Sequence, residues 1–396
     1  MMLKDYICRS WDNTVRVAKE GDETLILLPH PYTVPCADNA FQELYYWDTY
    51  FIHRGLLLSG REELVLGNLK NYVYMIDTYG FIPNGSRTYY LDRSQPPFFG
   101  KMVSDYYRAT GDLAFLREGY RALCKEYDFW MTRRIAPNGL NCHSSEPTDE
   151  ACAAYVGMYQ ARTGIVMQGD VRTCGVHVMA EAESGADFTP RYHSRCHDYN
   201  PVDLNSLLWF DETFLGECER ILGIGDGKAW DERACARKEK MIALMRDESG
   251  VFYDYCYADG VRGDMITCGA FYPTAVGMIT DDRGIDAILA ELELAHGVQM
   301  TGPAEGNYQW GEKNGWAPLQ LMAYESLRRC GRTEDALRIA RKYVSLVERT
   351  YAETGRLWEK YNVETGDHRA MSEYGTPEML GWTAGVYLAL ADALGE

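Results

Sequence analysis

Long apolar runs are missing from this chain. No stretch of about 18 apolar residues, the length a membrane-crossing helix needs, occurs anywhere. The segment from Met1 to Glu20 is polar and has no apolar core of the kind a secretory leader carries. Basic charge is also short: 40 Lys+Arg stand against 58 Asp+Glu, giving a net charge of −18. That balance disfavours nucleic acid and anionic membranes as partners and fits a small neutral ligand. Cysteine is plentiful, with twelve residues, but no C-x-x-C pair and no zinc-ligand spacing is present. The expectation is a cytoplasmic protein with reduced, mostly buried thiols, a structural zinc site being the competing reading.

Other chemistries lack their signatures. There is no G-x-S-x-G nucleophile elbow. Gly223-Ile-Gly225 has Lys228 where a dinucleotide fingerprint needs its third glycine. His193-Ser-Arg-Cys-His197 has the spacing of two zinc-binding histidines but no H-E-x-x-H glutamate. It also lies between Pro190 and Pro201, where a helix presenting both rings is disfavoured. His143, His177, His193 and His197 are therefore read as surface or loop residues.

What is there is largely helical. Apolar residues recur near a 3.6 period from Phe41 to Leu58, and again from Glu62 to Tyr79, with Gly60 and Gly80 as stops. Further helices are expected over 98–110, 113–133, 202–222, 228–246, 283–296, 317–329, 333–350 and 377–394. Strand-like stretches are short, Val251 to Tyr257 and Arg356 to Val363. Residues 137–200 read as one long irregular segment, and such segments are usually functional. No Pro-, Gly- or Ser-rich linker divides the chain. The pattern points to an all-α closed α/α toroid with loops over a central funnel: residues 1–39 as a cap segment, 40–396 as one catalytic domain. An open solenoid is the alternative, although no fixed repeat period is visible.

Aromatic side chains, 29 Tyr and 9 Trp, gather in segments that packing alone does not demand. These are Phe41-Gln-Glu-Leu-Tyr-Tyr-Trp-Asp-Thr-Tyr50, Ile82-Pro-Asn-Gly-Ser-Arg-Thr-Tyr-Tyr-Leu-Asp-Arg-Ser-Gln-Pro-Pro97, Ala182-Glu-Ser-Gly-Ala-Asp-Phe188 and Gln309-Trp-Gly-Glu-Lys-Asn-Gly-Trp-Ala-Pro318. Trp358-Glu-Lys-Tyr361, followed by Ser372-Glu-Tyr374, forms a weaker fifth. Together they supply carboxylates, ring platforms, an arginine and amides. Glycosidic hydrolysis needs that inventory: an acid to protonate the leaving oxygen, a base to activate water, rings to stack on the sugar.

These blocks resemble the trehalase family (glycoside hydrolase family 37), matching in family order from about residue 40 to 390. The resemblance implies an (α/α)6 barrel, an inverting α-glycosidase and no metal or organic cofactor. It carries the general acid onto Asp187 and the general base onto Glu359. It places Phe41, Trp47, Asp48, Asn84, Arg93, Gln95 and Trp310 around the retained glucose, and Glu373 near the leaving sugar. Inversion asks for carboxyls roughly 6.5–9.5 Å apart and an acid that holds its proton near neutral pH. Plainer readings stand beside these: a packing Trp47 with a solvated Asp48, an Asn84-Gly85 turn, a salt-bridged Arg93, an Asp187 helix cap and a Glu359 on an exposed strand.

The chain departs from the family pattern at Ala40 (Arg in trehalases), Ala186 (Trp), Gly311 (Asp) and His368-Arg-Ala-Met-Ser372 (a glycine run). An R-P-E-S-Y element is not clear near Asn141 to Asp149, where Ser145-Glu146-Pro147 is the nearest counterpart. Most departures fall where the family holds the leaving sugar. The expected reaction is α,α-trehalose plus water giving two glucoses. Hydrolysis of another small α-glucoside, such as a glucosylglycerate-like one, is the alternative. A sugar-binding pseudoenzyme and a sugar epimerase on the same toroid stand behind it.

Overall fold

The apolar periodicity that starts at Phe41 becomes helix only at Tyr46. Phe41 takes a left-handed backbone, φ 47°, and Tyr45 is extended and bridged to Gly85. The helix that follows has no side-chain cap of its own. Its first amides are taken up by the second motif segment: Tyr46 N–H donates to Asn84 O at 3.1 Å and Trp47 N–H to Gln95 Oε1 at 3.1 Å. The orphan donors of a helix start thus tie two distant sequence blocks together.

The structure is a computed structural model that describes the chain except residues 1, 2, 21, 39, 370–376, 379, 380 and 396. Its helices are α1 Leu3–Ser10, α2 Tyr46–Leu58, α3 Glu62–Tyr79, α4 Phe99–Thr110, α5 Leu113–Arg133, α6 Asp149–Thr163, α7 Val171–Glu183, α8 Val202–Leu222, α9 Lys228–Met245, α10 Tyr272–Ala275, α11 Ile285–Leu292, α12 Ala317–Arg329, α13 Thr333–Thr354 and α14 Gly381–Leu394. Helices α2, α4, α8, α10, α12 and α14 pack in sequence, and α14 returns to α2, closing a ring. Around it, α3 covers α2 and α4, α5 covers α4 and α8, α9 backs α8, and α13 backs α12 and α14. This is the expected (α/α)6 barrel.

Inner helices need apolar side chains all round, and α14 is buried along most of its length. Closure is tightest at Gly55 and Gly385, where a Cβ on Gly55 would lie 2.7 Å from Gly385 Cα. The α1 segment joins the same hydrophobic core through Leu3, Ile7 and Trp11, and Trp11 Nε1 donates to Ser59 Oγ at 3.0 Å.

Residues 137–200, expected to be irregular, contain α6 and α7. Thr148 caps α6 by accepting Ala151 N–H, Gly164 ends it in a left-handed conformation, and Asp170 caps α7 by accepting Thr173 N–H. Periodicity missed both because one face of the pair borders a polar cavity. The pair also packs on a small core of its own, Val156, Tyr159, Cys174, Val178, Phe188 and Tyr308. The strands are shorter than expected: Tyr255–Cys256 and Lys360–Asn362, the latter pairing antiparallel with Asn314–Trp316.

Candidate active site

Asp187 sits on a turn that the sequence bends sharply. Gly185 has φ 75°, and a Cβ there would stand 2.8 Å from the Trp47 ring. Phe188 is itself left-handed at φ 60°. Such a conformation costs a non-glycine residue on the order of 1 kcal/mol or more, and the surroundings must hold it. Trp310 N–H donates to Phe188 O at 3.2 Å, Thr189 Oγ1 donates to Trp310 O at 2.8 Å, and Gln309 Nε2 reaches Asp187 O at 3.4 Å. The third and fourth motif segments are thereby pinned to each other.

Glu183, four residues before Asp187, is fully buried and accepts from Arg134 Nη2 at 2.8 Å, Ser144 N–H at 3.0 Å and Ser94 N–H at 2.9 Å. His143 Nδ1 lies 3.3 Å from its Oε1. Burial works to raise this carboxyl, but Arg134 and then His143 overcome it and hold it down at about 2. Through Ser94, the anchored carboxylate fixes the loop that carries Arg93 and Gln95.

Glu359 precedes the strand Lys360–Asn362, whose register sets Lys360 opposite Trp316. Lys360 Nζ lies 2.6 Å from Glu359 Oε2 and 4.3 Å from the centre of the Trp316 ring, with both charged side chains buried. Trp316 stacks on Trp310 at 3.9 Å with planes 3° apart, and Trp382 meets both edge-on. Trp382 Nε1 donates to Glu359 O at 2.9 Å.

These elements enclose a cavity of about 320 Å³. Its wall includes Phe41, Trp47, Asp48, Asn84, Arg93, Gln95, Asp187, Trp310 and Glu359, so these candidates share one site. Glu373 lies outside the described residues. The size falls at the low end for small-ligand sites. Arg93 serves two readings at once. It pairs with Asp92 at 2.8 Å and lines the cavity, its guanidinium 5.0 Å from the Tyr90 ring centre and its buried Nε without a partner. Glu359 and Asp48 are buried, against the exposed-strand and solvated readings.

Four carboxyls line this wall: Asp48, Glu181, Asp187 and Glu359. Burial, with Glu359 and Asp187 as negative neighbours, pushes Asp48 up to about 7. Burial drives Glu181 well above the ordinary carboxyl range; the Thr189 N–H opposes this and Asp187 adds to it. Sequence reasoning missed Glu181, as it did Tyr155, Met158 and Arg162 of α6. The signal was available: once α7 is a helix, Val178, Glu181 and Ala182 fall on one face. Trp316 stood inside a quoted motif without being assigned to the wall, and Trp382 lay beyond the quoted segments.

Of the histidines read as surface or loop residues, His193 is exposed in a loop, while His177 lies in helix α7 instead. His143 and His177 are buried. His193 Nε2 pairs with Asp264 at 2.8 Å, whereas His197 Nδ1 faces His143 O at 3.1 Å. Among the described residues, no group of three or more His, Cys, Asp or Glu is arranged to hold a metal.

Comparison with known proteins places the family of this chain. The trehalase family profile matches residues 3–395. A periplasmic trehalase of Xanthomonas oryzae pv. oryzae is 34% identical over 419 residues, covering 98% of this chain and 72% of the relative. One from Pseudomonas aeruginosa is 33% identical, covering 98% and 76%. The neutral trehalase of Saccharomyces cerevisiae superposes with a TM-score of 0.79 at 25% identity, covering 99% of this chain and 80% of that one. A mannosylglycerate hydrolase of Thermus thermophilus shares the fold alone, with a TM-score of 0.67 at 16% identity. The curated relatives contradict the expected cytoplasmic address: they are named periplasmic trehalases. The twelve cysteines are unpaired, which reports their spacing in the fold and not the compartment. A profile match over nearly the whole length, together with these relatives, shows that the chain belongs to the trehalase family of glycoside hydrolases.

Proposed function

We propose that this chain hydrolyses α,α-trehalose to two glucoses with inversion, with Asp187 as general acid and Glu359 as general base. The supporting observation is that both carboxyls line the same cavity as the seven residues assigned to the retained glucose. Asp187 gives its proton to the glycosidic oxygen as the C1–O bond breaks. Glu359 takes a proton from the water whose oxygen forms the new bond to C1 from the opposite face. The retained sugar leaves as β-glucose and the other as α-glucose. The stacked Trp310–Trp316 pair, with Trp47 and Trp382 against it, supplies an apolar platform. Lys360 gives the buried Glu359 a cationic partner. The reaction draws on no metal or cofactor. Residues 1–39 act as a cap on a single catalytic unit, 40–396.

Glucose release from α,α-trehalose and from 4-nitrophenyl α-glucoside by the purified chain tests the reading. Turnover of trehalose supports it. Turnover of the aryl glucoside alone moves the substrate to another small α-glucoside, and sugar binding with no turnover of either makes the chain a pseudoenzyme.

A further inference from the structure

The glucose-side wall comes from the motif segments, but the cavity has a second wall that does not. Tyr155, Met158 and Arg162 lie at positions i, i+3 and i+7 of α6, hence on one helix face, and all three line the cavity. Val178 and Glu181 of α7 continue that wall. At one end, the Tyr155 ring stands 5.8 Å from the Arg93 guanidinium. At the other, the Arg162 guanidinium lies 5.0 Å from the centre of the Phe188 ring, one residue beyond Asp187. The α6 face therefore runs from the glucose-side arginine to the turn that carries the acid.

Glu181 is 1% exposed, and its Oε1 accepts Thr189 N–H at 2.9 Å, which fixes the carboxyl beside the same turn. A general acid protonates the oxygen between the two sugars, so a leaving sugar lies beyond Asp187 from the retained glucose. A ring, a thioether, a guanidinium and a carboxyl on one wall match the apolar faces and hydroxyl edge of a pyranose.

We propose that Arg162 and Glu181 are specificity-determining residues that hydrogen-bond the hydroxyls of a neutral leaving sugar. The assignment rests on the trehalose reading and names the contacts that discriminate the second sugar. A site built to pair a substrate hydroxyl discriminates strongly against a leaving group that lacks it.

The test compares Arg162→Met and Glu181→Gln with the unaltered chain on α,α-trehalose and on 4-nitrophenyl α-glucoside, whose leaving group has no sugar hydroxyls. Each variant should lose at least ~30-fold in kcat/KM on trehalose and less than ~3-fold on the aryl glucoside. Glu181→Gln keeps an acceptor for Thr189 N–H and serves where Arg162→Met does not fold. Equal losses on both substrates, or no loss on trehalose, overturn the assignment and leave the trehalose reading standing. An unaltered chain inert on trehalose sinks that reading and the assignment with it.

Discussion

Glu183 Oε2 accepts the Ser94 N–H at 2.9 Å while Arg134 Nη2 donates to the same oxygen at 2.8 Å. One buried carboxylate thus ties the segment that carries Asp187 to the loop that carries Arg93 and Gln95. Replacing Glu183 by Gln leaves Arg134 a buried, uncompensated cation, which costs about 3–5 kcal/mol. Urea unfolding measures it. The sign with pH follows from the lowered carboxyl. Its contribution is present above the ordinary value of 4.5 and is lost as pH falls from there towards 2. The gap between the unaltered chain and Glu183→Gln should narrow across that window.

Asp187→Asn and Glu359→Gln should each lower kcat on trehalose by at least ~10²-fold while circular dichroism and melting stay near those of the unaltered chain. Retained turnover in either variant removes that residue from its role.

Gly185→Ala tests the close approach behind the acid. The added methyl meets the Trp47 ring at 2.8 Å, and φ 75° is unfavourable for alanine. A stability loss of about 1–2 kcal/mol is expected, with a fall in kcat as the Asp187 turn shifts. An alanine variant with unchanged kcat would show that the turn tolerates displacement.

Glu126 offers the opposite pH sign. It is buried, accepts the Tyr46 hydroxyl at 2.5 Å, and burial pushes it up to about 8 from 4.5. Between those values the folded chain keeps a proton that the unfolded chain has released, so stability falls as pH rises, by about 1.4 kcal/mol per pH unit from this group. Glu126→Gln should flatten that slope in denaturation measured from pH 5 to 8.

The sequence made the barrel legible where apolar periodicity and glycine stops coincide. Helices α3, α5 and α8 lie where the expected spans 62–79, 113–133 and 202–222 place them, α3 stopping at Gly80. It failed where a segment is held by partners remote in sequence. Phe41 to Tyr45 has helical spacing but is drawn out by Gly85 and by Ser86 Oγ, which accepts Leu44 N–H. Helices α6 and α7 carried cap residues but weak periodicity, because one face borders the polar cavity. The same cause hid Glu181 and Arg162, whose chemistry appears only once the helix faces are known. The residues proposed around the retained glucose stood out together because they sit in contiguous blocks that resemble the trehalase family, and they line one cavity.

Proton NMR of the purified chain mixed with α,α-trehalose, following the anomeric signals from the first minutes, tests inverting trehalose hydrolysis most directly. Equal amounts of β- and α-glucose should appear ahead of mutarotation. Only α-glucose in the earliest spectra would mean retention and would contradict the Asp187–Glu359 assignment. Intact trehalose would contradict the substrate.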